Sequence, residues 1–151
     1  MRWRARSAAW SLPRAPHLLA IPGCGIPGAA LLIGETADAT RFASKAALAR
    51  FNGTAPIPVW SGNKVRVRLN RGGNRTVNHA LHMIAVTQVR GDGEGATHIA
   101  KQLAAGKTKT EALRLLRRRI SDRVYRALLA DQASPGHSLG PAPTTPMNLA
   151  A

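Results

Sequence analysis

The sequence predicts a mainly α-helical domain, and three observations carry the prediction. Apolar residues recur at helical spacing, most clearly at Leu113, Leu116, Ile120, Val124 and Leu128. Glycine-containing steps punctuate the helical segments at Pro22-Gly23, Asn52-Gly53 and Gly72-Gly73. Strict alternation appears once, over residues 64–70, so one short β-hairpin or extended basic segment interrupts the helices.

Residues 1–16 read as an irregular basic extension, too broken in its apolar run for a secretory signal. A start codon inside a longer or shifted reading frame would explain its composition. Residues 17–131 form the domain, and within them residues 18–35 resemble a helix-hairpin-helix. There the turn at Pro22, Gly23 and Gly25 breaks the backbone, and a helix restarts near Ala29. In such a motif the N–H groups around Gly23 and Gly25 hold a DNA phosphate. The same pattern also suits a plain packing unit of two helices.

Residues 38–52 form a second helical unit, with Ser44 placed to cap a helix and Asn52-Gly53 placed to end it in a left-handed turn. Pro56 and Pro58 push their neighbours into extended conformations. Ser61, Gly62 and Asn63 make a turn. The following ribbon sets Val65, Val67 and Leu69 on one side, and Lys64, Arg66, Arg68 and Asn70 on the other. Arg71 to Asn74 break it. A helix over 76–90 carries Val77, Ala80, Leu81, Ile84 and Ala85 on one stripe. A short helix spans 96–105 and stops at Gly106. The last helix, over 108–130, has Thr110 and Glu111 near its start and is covered with arginines. Residues 132–151 are rich in Pro, Ser and Thr and read as a disordered tail.

Charge narrows the function. The 151 residues hold 22 Lys and Arg against 7 Asp and Glu, a formal net charge of +15. Such a surplus cannot be neutralised internally and favours a polyanion, nucleic acid before any other. A membrane is not an expected partner, because no apolar run is long enough to span one and no basic helix carries a bulky aromatic face. A single cysteine, Cys24, excludes an internal disulfide and fits a reducing, cytoplasmic compartment.

The seven carboxylates, from Glu35 to Asp131, are scattered without the clustering that holds a divalent cation. No metal site and no cofactor is expected in this chain, and it should not act alone as a metal-dependent nuclease. His79 and His82, three positions apart on one helix face, suit packing or phosphate contact better than metal binding. Tyr125, the sole tyrosine, sits at a position expected for the core or a helix flank. Arg117, Arg118 and Arg119 read as a phosphate-contacting stripe or a solvated face.

Ser61 is the candidate nucleophile. A serine hydroxyl needs a base, a metal or strong stabilisation of developing charge. Lys64, Arg66, Arg68, Arg71 and Arg75 follow it closely, and guanidinium groups grip phosphate oxygens in pairs. Taken locally, Ser-Gly is also an ordinary turn.

Several segments match in order those of one known family: LLAIPGCG, TADATRFASKAALARFNGTAPIP, SGNKVRVRLNRGGNRTVNHALHMIA and GKTKTEALRLLRRRI. Over roughly residues 18–131 the chain resembles the C-terminal transposase domain of the insertion sequence 110 family. The resemblance implies a DNA transposase or recombinase in which Ser61 attacks the DNA backbone. Lys64, Arg66, Arg68, Arg71, Asn74 and Arg75 match the family's basic and Gly-Asn-Arg part; Gly23, Gly25, Arg117 and Arg118 complete the expected DNA contacts. Family members also carry a domain with a DEDD carboxylate set, and magnesium would belong there. That domain has no counterpart here, Asn52-Gly53-Thr54 stands where Ala-Gly-Leu is common, and the tail is no family feature. The chain is therefore expected to be a truncated transposase that keeps DNA affinity without independent catalysis. DNA is the expected partner, with a guide RNA and a second copy of the chain left open. The alternatives are a non-catalytic helix-hairpin-helix DNA-binding module and a small basic RNA-binding protein.

Overall fold

The computed structural model describes residues 15–134. Residues 1–14 and 135–151, nearly all of the expected extension and tail, lie outside the described residues. Six α-helices and one hairpin follow in order: α1 (Pro16–Leu19), α2 (Ile26–Thr36), α3 (Lys45–Phe51), β1 (Ile57–Ser61), β2 (Lys64–Arg68), α4 (Arg75–Arg90), α5 (Glu94–Ala104) and α6 (Lys109–Ala133). The mainly α class holds.

The boundaries follow from capping chemistry. α2 begins at Ile26, before the expected Ala29, because Pro27 falls in the first helical turn, where a missing N–H has no partner to lose. Gly25 is extended ahead of it, and only Gly23, at φ +83°, needs the left-handed region in that turn. The unit expected over 38–52 is split into a 3₁₀ turn (Ala39–Arg41) and α3. Ser44 divides them: it is extended, and its Oγ accepts from the Ala47 N–H at 3.2 Å. Asn74 caps α4 by accepting from the Val77 N–H at 3.0 Å. Thr108 and Glu111 form a reciprocal capping box at the start of α6, which runs three residues beyond the expected end to Ala133.

β1 and β2 pair antiparallel with Ile57 opposite Arg68, Val59 opposite Arg66 and Ser61 opposite Lys64. Gly62, at φ +58°, takes the first position of the two-residue turn, where tight hairpins favour glycine. The strands contact chiefly each other, and Trp60 and Val67 stay 73% and 66% exposed.

The core lies between α4 and α6, closed by α1 and α2. Val77, Leu81 and Ile84 meet Leu116, Ile120, Val124 and Leu128, with Leu18 and Leu32 filling the far side. Asp131, near the end of α6, accepts from the N–H groups of His17 and Leu18 at 2.9 and 3.1 Å. It serves as the cap that α1, only one turn long, lacks locally.

Candidate nucleic-acid interface

The hairpin is anchored where its two arms leave the helices. Asn52 is buried, and its Nδ2 donates to Ser121 Oγ on α6 at 2.8 Å, while its Oδ1 accepts from the N–H and hydroxyl of Thr54. The returning arm crosses the outgoing one at Gly73 and Gly53. A Cβ at Gly73 would stand 2.5 Å from Gly53 Cα, so only glycine allows the crossing. Asn74 N–H donates to the Phe51 carbonyl at 2.7 Å, and Asn78 Nδ2 donates to the Asn52 carbonyl at 2.8 Å. These bonds tie α3, α4 and α6 together beneath the hairpin.

The crossing floors a cleft of about 530 Å³ between α4 and α6. Arg71, Arg75, His79, His82, Arg114 and Arg117 line it, and no carboxylate does. Arg117 is half-buried and donates to Asn78 Oδ1. Burial, and then Arg114, pull its guanidinium below the usual arginine range. Burial first, then Arg117 and His79, hold the His82 imidazole below its usual value. Arg117 Nε and His82 Nδ1 are buried with no hydrogen-bond partner among the described residues. A second hollow of about 450 Å³ adjoins it, with Arg68, Lys107, Arg118 and Glu111 on its walls.

The predicted site residues fall into separate places. Ser61 is exposed at the hairpin tip. Directly opposed positions of an antiparallel pair share a face, so the register sets the positions of Lys64, Arg66 and Arg68 on the face of Ser61. Arg71, Arg75 and Arg117 meet in the cleft. Four residue steps along a strand separate Ser61 from the level of Arg68, about 13 Å. Asn74 is engaged at both side-chain atoms, capping α4 and donating to Glu35 Oε2 at 2.8 Å. Arg118 pairs with Asp122 one turn on, while Arg117 turns inward, so the arginine run is no continuous stripe. Gly23 faces α4 near Thr87, roughly 18 Å along that helix from Arg75. The glycine turn and the cleft are therefore at opposite ends of α4. Gly25 caps α2 beside that turn.

Arg114 does not stand out in the sequence, although a signal exists. Arg114 and Arg117 are three apart, and Arg75, His79 and His82 follow at helical spacing, so each group shares a face. Tyr125 spends its hydroxyl on the Phe42 carbonyl at 2.9 Å and so acts as an anchor.

The model of the Transposase IS116/IS110/IS902 family matches residues 15–100. The chain is 39% identical over 121 residues to an uncharacterized 43.6 kDa protein of insertion element IS110 from Streptomyces coelicolor, covering 79% of this chain and 29% of that protein. It is 34% identical over 119 residues to an uncharacterized 42 kDa protein of insertion element IS900 from Mycobacterium paratuberculosis, covering 77% of this chain and 29% of the relative. The chain thus spans well under a third of either relative's length. The family match runs from α1 through the hairpin and α4 into α5, and by it the chain belongs to the Transposase IS116/IS110/IS902 family.

Proposed function

We propose that this chain is a DNA-binding domain of a transposase and that Ser61 is its nucleophile in a complete enzyme. The supporting observation is the carboxylate-free cationic cleft at the foot of a hairpin whose tip carries Ser61. Guanidinium groups gathered without counter-charge suit a polyphosphate backbone. In the proposed step Ser61 Oγ bonds to the scissile phosphorus as the bond from phosphorus to a deoxyribose oxygen breaks. The leaving oxygen takes up a proton, and the serine proton passes to a base.

The positions of Lys64, Arg66 and Arg68 along the same ribbon face fit a strand whose phosphates run beside the serine. Among the described residues no group of three or more His, Cys, Asp and Glu sits together to hold a metal ion. In the complete enzyme a base, or a metal held elsewhere, would activate the hydroxyl.

The test is Ser61→Ala in a transposase that also carries the DEDD domain. Lost strand transfer with DNA binding intact supports the reading. Unchanged strand transfer leaves a binding module without chemistry, and tighter binding of RNA than DNA at matched salt replaces it with an RNA-binding role.

A further inference from the structure

We infer that the cleft between α4 and α6 is a phosphate-holding site of its own, distinct from the hairpin tip, taking a backbone phosphate of the strand presented to Ser61. The inference rests on the proposed DNA reading and deepens it by giving His79, His82 and Arg114, which line the same cleft, a role of their own.

The make-up of the cleft and the burial of two of its members carry the inference. Cationic and imidazole side chains come from three separate places, Arg71 in the loop, Arg75, His79 and His82 on α4, and Arg114 and Arg117 on α6. Burial first, and the neighbouring like charges second, lower the proton affinities of Arg117 and His82, and no carboxylate lines the cleft to offset either effect. An anion in the cleft does so. The buried Arg117 Nε and His82 Nδ1 have no partner among the described residues, and buried polar groups are otherwise nearly always satisfied. An oxyanion in the cleft meets the exposed guanidinium groups of Arg75 and Arg114 directly, and reaches Arg117 Nε and His82 Nδ1 only if those side chains turn toward it.

Size and shape choose the kind of anion. About 530 Å³ exceeds what a lone phosphate needs, and Leu69 and Leu113 add apolar wall beside the arginines. Phosphate joined to a sugar fits both features. Arginine forks also match phosphate oxygens bidentately.

Position adds the last constraint. The cleft lies at the hairpin's foot, beyond the level of Arg68, which is itself about 13 Å along the strand from Ser61. That separation exceeds one nucleotide step of a DNA strand, so the held phosphate is not the one at Ser61.

The experiment measures duplex DNA affinity against salt for the protein and for an Arg75→Ala, Arg114→Ala variant. Both arginines are exposed, so the fold is not at stake. The salt slope should fall by about 0.9 for each arginine–phosphate pairing that the substitutions remove, with affinity reduced about tenfold or more. In parallel, inorganic phosphate is titrated while the histidine ring resonances are followed. His79 and His82 should move, with His17 and His98 unmoved, and the movement should vanish in the variant. A variant that binds DNA with the original slope overturns the inference and leaves the DNA reading standing. Phosphate that moves the His17 and His98 rings as much as those of His79 and His82 also overturns it. A wild-type protein that does not bind DNA overturns the DNA reading itself, which a phosphate response confined to His79 and His82 would distinguish from failure of the cleft.

Discussion

Gly73 lies against the backbone of Gly53, and a Cβ at Gly73 would stand 2.5 Å from Gly53 Cα and 2.7 Å from the Asn52 carbonyl carbon. Both obstacles are backbone, so neither can rotate away. Gly73→Ala must therefore part the two arms of the hairpin and should cost about 1–3 kcal/mol. Gly72→Ala, whose nearest neighbour is Asn70 Oδ1 at 3.5 Å, should stay close to wild type. Urea unfolding of the two variants, side by side, checks the contrast.

Asn52 and Ser121 form the buried bond that joins the hairpin's root to α6. Ser121→Ala leaves the Asn52 amide without its acceptor and should destabilise by about 1–3 kcal/mol. Asn52→Ala should destabilise more, because it also strips the acceptor from the N–H and hydroxyl of Thr54. Chemical denaturation midpoints at constant slope give both values.

Acid should weaken the fold in two separate windows. His82 and His98 are both held below 6.5, chiefly by burial, with Arg117 and His79 around the first and Arg119, Lys101 and Lys107 around the second. The unfolded chain then binds protons that the folded chain refuses, so stability rises with pH through this range. The contribution is full above 6.5 and is lost as pH falls below it. Unfolding midpoints should drop between neutral pH and about pH 5.5, and His82→Gln should flatten that limb.

A lower window belongs to Glu111, whose carboxyl is held below 4.5 by the Thr108 N–H and hydroxyl. Its share is present above 4.5 and disappears as pH falls through the lowered value. Thr108→Ala removes the other half of the box and should cost about 1 kcal/mol. Thermal melts at neutral pH and near pH 3 should show the Thr108→Ala penalty shrinking in acid.

Local chemistry is readable wherever one residue decides the outcome. Ser44 and Asn52-Gly53 mark the ends of α3 because a cap acts within one turn. The start of α2 escapes a sequence reading because Pro27 looks like a breaker until its position in the first turn is known. In the site, the charge of Arg71, Arg75 and Arg117 is plain from the sequence, yet their meeting is not. It depends on Arg117 reaching Asn78 across 39 positions and on two glycines crossing, which no local pattern encodes. Asn74 carries a structural role that its sequence context does not announce. Its place in the Gly-Asn-Arg run suggests a DNA contact, while in the fold both its polar atoms serve α4 and Glu35.

Asp131 binds the N–H groups of His17 and Leu18, partners 114 and 113 positions earlier in the chain. On a translating ribosome α1 emerges first and finds its cap last. The core against α6 cannot close until α6 itself has left the exit tunnel, so this unit folds only after its last described helix has emerged. Until then the apolar faces of α2 and α4 stand open, and like positive charge on neighbouring copies works against their association.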